Sequence, residues 1–92
     1  MADRSTSDLA ERVARLVHKF LEKRAVTRAV RHDEDLRAAG LSSLDLVNLM
    51  LSVETEFAVH IPERDMTPTN FRSIARIAGL VAARQQTEIV SG

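Results

Sequence analysis

The sequence predicts an all-α fold, a small bundle of three principal helices and a short fourth, and three observations carry that prediction. Apolar residues recur at helical spacing in three stretches, no stretch alternates as a half-buried strand does, and Gly40, Pro62 and Pro68 fall in the gaps between them. The 92 residues leave room for one small domain, 45% hydrophobic and 28% charged, with three phenylalanines and no tryptophan or tyrosine. Aliphatic side chains must therefore fill the core. A chain this short buries roughly 60–65% of its unfolded surface, enough to fold but not to enclose a deep, water-free pocket. That argues against a self-contained enzyme.

The first helix opens at residues 5–7, where serine and threonine hydroxyls precede Asp8 and Glu11, acids placed where the N-terminal dipole favours them. Leu9, Val13, Leu16, Val17 and Phe20 form one face, with Arg12, Arg15, Lys19 and Glu22 on the other, so an amphipathic rod of about four turns ends near Lys23. Residues 24–41 are a long connection in which residues 25–30 can support a short helical turn, with Leu36 as the anchor to the core. Gly40 then breaks the chain, Ser42 and Ser43 offer N-cap hydroxyls, and Asp45 stands in the first turn of a central helix running to Phe57.

On that central helix Leu46, Leu49, Met50, Val53 and Phe57 lie within about 100°, the width of a core-facing stripe. Leu44, Val47 and Leu51 form a second stripe, flanked by Asn48 and Glu54. Ile61-Pro62 closes the short segment after this helix, because the residue before proline is pushed out of the helical region. Residues 63–70 read as loop with one helical turn. Phe71, Ile74, Ile77, Ala78 and Val81 give a last helix that starts near Ser73 and fades after Arg84. The expected organisation is a single domain over residues 1–84 with a frayed tail over 85–92.

The formal net charge is zero, which counts against generic nucleic-acid binding. The charges are segregated, however. Residues 1–31 carry eight basic and four acidic side chains, whereas residues 33–65 carry two basic and eight acidic. A helix-turn-helix reading needs a basic recognition helix, and the central helix is acidic. No apolar run has the length of a signal peptide core or a membrane span, so a cytoplasmic chain without membrane attachment is expected. With no cysteine, and with His18, His32 and His60 not spaced as ligands, no metal site is expected; the run His32-Asp33-Glu34-Asp35 reads as a solvated acidic loop. There is no glycine-rich phosphate loop and no Gly-x-Ser-x-Gly elbow, so no catalytic residue is assigned.

What remains is a serine at the start of a helix, in an acidic segment, beside an apolar stripe. Locally, Ser42 and Ser43 can be no more than caps, and Leu44, Val47 and Leu51 no more than a second packing face. On local pattern alone the function stays open.

The wider order of residues adds to this. Asp35-Leu36 and Gly40-Leu41 lead into Ser42-Ser43-Leu44 and Asp45, and beyond them stand Glu54-Thr55-Glu56-Phe57, His60-Ile61-Pro62 and Phe71-Arg72-Ser73-Ile74. In this order and spacing, residues 35–81 resemble the acyl carrier protein family, including peptidyl and aminoacyl carriers. The resemblance implies a four-helix carrier bundle that catalyses nothing itself. It implies that Ser43 bears 4′-phosphopantetheine, attached covalently from coenzyme A by a phosphopantetheinyl transferase, whose thiol holds an acyl or aminoacyl group as a thioester. Ser42 fills the slot usually held by aspartate, a departure from the common pattern.

Asn48 and Thr55 stand where fatty-acid carriers are often acidic, so a discrete carrier of a specialised pathway is the expected subtype. The segment Leu36-Arg37-Ala38-Ala39-Gly40-Leu41-Ser42-Ser43 resembles small carriers charged by stand-alone amino acid:carrier protein ligases, enzymes similar to the catalytic core of a class II aminoacyl-tRNA synthetase. An amino acid is then the expected cargo and such a ligase, or another acyl-activating or acyl-transferring enzyme, the expected partner. Leu44, Val47 and Leu51 would centre a docking face with Asn48, rimmed by Asp45, Glu54 and Glu56 and helped by Asp33, Glu34 and Asp35. That rim implies basic, shallow partner surfaces and salt-weakened encounters. A monomer is the default. The alternative is a non-carrier helical interaction module using the same stripe. Ser43→Ala separates the two, abolishing function in a carrier at a stability cost of about 1 kcal/mol.

Overall fold

Leu9, Val13, Val17 and Leu21 share one face of the first helix and all are buried, which fixes how that helix lies on the rest of the chain. The structure is a computed structural model that describes the backbone of residues 2–91 and the side chains of residues 8–85. Its elements are α1 (Ala2–Glu22), α2 (Leu36–Ala39), α3 (Ser43–Phe57), a single 3₁₀ turn (Glu63–Asp65) and α4 (Ile74–Ser91). Among the described residues there is no strand. The all-α bundle of three long helices and a short one is therefore what the periodicity predicts.

Helix α1 packs along α4 and, less extensively, along α3. Arg12 meets Glu56 near one end of α3 and Arg24 meets Asp45 near the other, so α1 and α3 run antiparallel. The interior is largely aliphatic: Leu36, Leu49, Ile61, Ile74 and Ile77 are fully buried with Phe71, and Phe57 is buried too. Helix α1 starts at Ala2, earlier than residues 5–7, and the caps expected from those residues lie outside the described side chains.

The short helix is not at residues 25–30. Ala25 there adopts a left-handed backbone (φ +62°), and Val26 and Val30 instead pack against the core from irregular chain. The helical turn forms at Leu36–Ala39, where the Asp35 carboxylate accepts the Arg37 and Ala38 N–H groups at 2.9 and 3.4 Å. Gly40 ends it at φ +134°, a conformation that L side chains rarely adopt. A Cβ there would also stand 3.1 Å from Val26 Cγ2. Leu36, buried as expected, donates its N–H to the Arg72 carbonyl at 2.8 Å, and Ala75 N–H reaches the His32 carbonyl at 2.9 Å. The long connection is thus tied to the start of α4.

Ser73 caps α4 from within the core, its hydroxyl accepting the Arg76 N–H at 3.2 Å. The helix does not stop near Arg84 but continues to Ser91. Apolar spacing marks only the part of a helix that faces a core, whereas Gln85, Gln86 and Glu88 have good helical propensity without such spacing. Among the described residues no helix is long and apolar enough to cross a membrane.

Candidate functional site

The site is the first turn and outer face of α3. Gly40 turns the chain, Leu41 is buried, and Ser42 takes the extended backbone of an N-cap. The Ser42 hydroxyl accepts the Asp45 N–H at 3.1 Å while the Asp45 carboxylate accepts the Ser42 N–H at 2.9 Å, a reciprocal capping box. The two adjacent serines therefore have different tasks. Ser42 is consumed by the cap. Ser43 is the first helical residue and exposed, and among the described residues its hydroxyl has no hydrogen-bond partner.

The first N–H groups of a helix have no intrahelical acceptor, and together with the helix dipole they favour an anion at that end. Ser43 and Leu44 supply such groups beside the free hydroxyl. Asp45 also stands there, an anion that would oppose a second negative charge. It is neutralised from outside the helix, because Arg24 donates to its two oxygens from Nε and Nη2 at 2.8 and 2.9 Å. That fork, with the Ser42 N–H, pushes the Asp45 carboxyl down to about 2 and raises the Arg24 guanidinium. Spacing along the chain gives no signal for Arg24, since it lies on the far side of the long connection.

Behind the first turn, the buried face of α3 is Leu46, Leu49, Met50, Val53 and Phe57, the set the spacing predicts. The other stripe is open. Leu44 is 65%, Val47 48% and Leu51 54% exposed, with Asn48 exposed among them. Leu16 of α1 borders Leu51 across a shallow groove floored by Ser52 and Thr55. A larger groove of about 620 Å³ runs between α1 and residues 27–30, lined by Ala14, Val17, His18, Leu21, Val30 and Ile74. It does not include Ser43.

Of the acidic residues expected to rim this face, Asp45 and Glu54 are turned into the fold, whereas Glu56 stays half exposed. Asp45 is 13% exposed under Arg24. Glu54 is 21% exposed; it accepts the Ile61 N–H at 2.8 Å and lies 3.5 Å from His60 Nδ1. Glu56 meets Arg12 at 3.4 Å, whose guanidinium also covers the Phe57 ring at 4.5 Å. In the connection, Glu34 binds Arg28, which holds its carboxyl below the ordinary range, Asp33 pairs with Arg31, and Asp35 lies 3.5 Å from Arg72. Among the described residues no group of three or more His, Cys, Asp or Glu side chains could hold a metal ion.

Comparison with known proteins gives the same direction as this geometry. Residues 8–81 match a family described as "Phosphopantetheine attachment site". Aminoacyl carrier protein 1 of Bradyrhizobium diazoefficiens is 39% identical over 80 residues, covering 87% of this chain and 89% of that protein. Aminoacyl carrier protein 2 of the same organism is 35% identical over 74 residues, covering 80% and 83%. No solved structure matches the chain significantly.

Proposed function

The chain belongs to the family of carrier proteins that bear covalent 4′-phosphopantetheine, and from that premise we propose that Ser43 is the residue carrying the group. The protein is a carrier rather than a catalyst, served by a phosphopantetheinyl transferase and by enzymes that handle acyl groups. A non-carrier interaction module is not favoured. The observation that supports Ser43 is the division of labour between the serines: the Ser42 hydroxyl is held in the capping box, and that of Ser43 is exposed and unpartnered among the described residues.

The fit is chemical as well as geometric. As a phosphodiester, Ser43 Oγ would hold its negative charge against the first N–H groups of α3, with Asp45 already neutralised by Arg24. When bound, phosphopantetheine supplies a thiol on a flexible arm, which this cysteine-free chain lacks, and holds cargo as a thioester. Leu44, Val47 and Leu51, with Asn48 between them, are the docking face that brings Ser43 to a partner's site. Asp45 and Glu54 serve that face as positioning residues, one tying it to Arg24 and the other to Ile61.

The cargo we assign is an amino acid. Two relatives are named aminoacyl carrier proteins and cover most of this chain, and residues 36–43 resemble carriers loaded by stand-alone amino acid:carrier protein ligases. On this reading a monomeric carrier unit over residues 1–84 is loaded in the cytoplasm by such a ligase, with the remainder of α4 outside the unit.

The test is intact-mass spectrometry after incubation with coenzyme A and a broad-specificity phosphopantetheinyl transferase. Parent protein and Ser42→Ala gain one phosphopantetheinyl group, and Ser43→Ala gains none. Gain in Ser43→Ala but not in Ser42→Ala would reverse the assignment. Addition of ligase, ATP and amino acid to the modified protein then adds one aminoacyl group; loading by a long fatty acid alone would overturn the cargo.

A further inference from the structure

The groove between α1 and residues 27–30 takes no part in the Ser43 site, and both of its walls are fixed. Ala14, Val17, His18 and Leu21 follow one another at i, i+3, i+4 and i+7, so a single face of α1 makes one wall. The opposite wall is the connection, fastened at both ends. Val26 N–H donates to the Leu21 carbonyl at 3.0 Å, and the His32 carbonyl accepts the Ala75 N–H at 2.9 Å. Val17, Leu21 and Ile74 are fully buried at the floor and Val30 is half-buried beside them. The volume of about 620 Å³ falls within the range of small-molecule sites, about 300–1,000 Å³.

The rim above this apolar floor is charged, and unevenly. Arg15, His18, Lys19 and Glu22 border the groove on α1. Glu22 stands 3.7 Å from His18 Nε2, which leaves Arg15 and Lys19, both exposed and one helical turn apart, outside any ion pair among the described residues. The far wall brings no acid to them: Thr27, Ala29 and Val30 are uncharged, and Arg28 between them is closed on Glu34. The Thr27 hydroxyl has no hydrogen-bond partner among the described residues. Two unpaired cations and a hydroxyl over an apolar floor are complementary to an amphiphilic anion. From Ala14 to Glu22 the groove follows about 12 Å of helix. That is two turns, a short cradle for a partner helix of the usual 11–12 residues or so, and long enough for an extended alkyl chain.

We propose that this groove is a noncovalent binding site for a free medium-chain alkyl carboxylate, its chain lying on Val17, Leu21, Val30 and Ile74 and its carboxylate between Arg15 and Lys19. The site is separate from the carried group. A cargo held as a thioester has no free carboxylate at its point of attachment, and the aminoacyl cargo proposed above carries an ammonium that Arg15 and Lys19 repel. The ligand is thus a second molecule, and Ser43 keeps its own task whether the groove is filled or empty.

The experiment titrates the full-length chain with decanoate, and separately with decyltrimethylammonium, and follows two-dimensional ¹⁵N–¹H NMR spectra at about 20 mM NaCl. Decanoate is expected to saturate one site with a Kd of about 1 mM or tighter. The cation of equal chain length should bind about tenfold more weakly or less. Shifts should centre on the Val17, Leu21, Ala29 and Val30 amides while those of Leu44, Val47 and Leu51 stay in place. Replacing the two exposed cations together, Arg15→Glu with Lys19→Glu, should reverse the preference between the probes with an unchanged circular dichroism spectrum. The two probes are compared first on the parent protein, so the test stands even where that variant fails to fold. No saturation, equal binding of the two probes, or shifts centred on the α3 stripe overturns the proposal. Groove amides that shift on dilution of the ligand-free protein overturn it as well, since the occupant is then a second copy of the chain.

Discussion

The two faces of α3 carry the same kinds of side chain to opposite ends. Leu46 and Leu49 are buried, whereas Leu44 and Leu51, on the same helix and of the same chemistry, are 65% and 54% exposed. Burying a leucine is worth roughly 1.5–3 kcal/mol, so the first face is explained by folding. The second gains nothing comparable from this fold. A clustered, open apolar stripe beside Ser43 is instead what the proposed docking face requires. Phe57 and Leu44 mark the boundary: the ring at the end of the helix closes the core under Arg12, and the leucine beside Ser43 stays open.

The largest effect that can break this comparison comes from truncating both faces. Leu49→Ala removes a fully buried side chain from among close-packed neighbours and is expected to cost about 2–5 kcal/mol. Against a total stability of roughly 5–15 kcal/mol for a domain, that is a large fraction. Leu51→Ala should stay within about 0.5 kcal/mol of the parent while slowing transfer to Ser43. Urea unfolding followed by circular dichroism measures the first quantity and the transfer assay the second. Equal destabilisation by the two substitutions would make the outer stripe part of the core and remove it as a docking face.

A smaller effect sharpens the same division at the start of the helix. Sequence alone leaves both serines as candidate caps and assigns Ser43→Ala about 1 kcal/mol. The structure moves that cost to Ser42, whose hydroxyl accepts the Asp45 N–H. Ser42→Ala is therefore expected to lose about 1 kcal/mol and keep the modification. Ser43→Ala should leave the urea midpoint nearly unchanged and lose the modification entirely. The double variant would show simple addition in stability, because only one of the two hydroxyls is engaged.

What the sequence makes legible depends on the range of the interactions. The buried set on α3 and the open stripe beside it are set by helical period, a local property, and both are found where spacing puts them. The short helix lies elsewhere than composition suggests because residues 25–30 have acceptable composition but no cap, while the Asp35 carboxylate reaches back to start a turn at Leu36. The end of α4 escapes a reading by period because it carries no core-facing one. Arg12 and Arg24 escape it for a different reason: their partners lie across the long connection, and only the packing of α1 against α3 brings them together. A trace of this pairing is visible in the charge segregation, where a basic first third precedes an acidic middle. Taken as complements, the two blocks supply the Arg12–Glu56 and Arg24–Asp45 pairs.

The smallest effect tests the Arg24–Asp45 pair directly. Its carboxyl is lowered from 3.8 to about 2, first by the Arg24 hydrogen bonds and then by the Ser42 N–H. A group whose folded pKa lies below its unfolded value stabilises the fold above the unfolded value and loses that contribution as pH falls through the folded one. The stability difference between parent and Asp45→Asn should therefore be constant from neutral pH to about 5 and shrink between about 4 and 2. Arg24 is 47% exposed, so water and salt screen the pair and the difference stays below that of Ser42→Ala. Urea midpoints at stepped pH measure it, and a difference that persists unchanged down to pH 2 would mean that Asp45 acts through the cap geometry alone. In that case Arg24 would not be neutralising Asp45 beside Ser43, and the phosphodiester would face an open carboxylate at the very position where the helix dipole is meant to receive it.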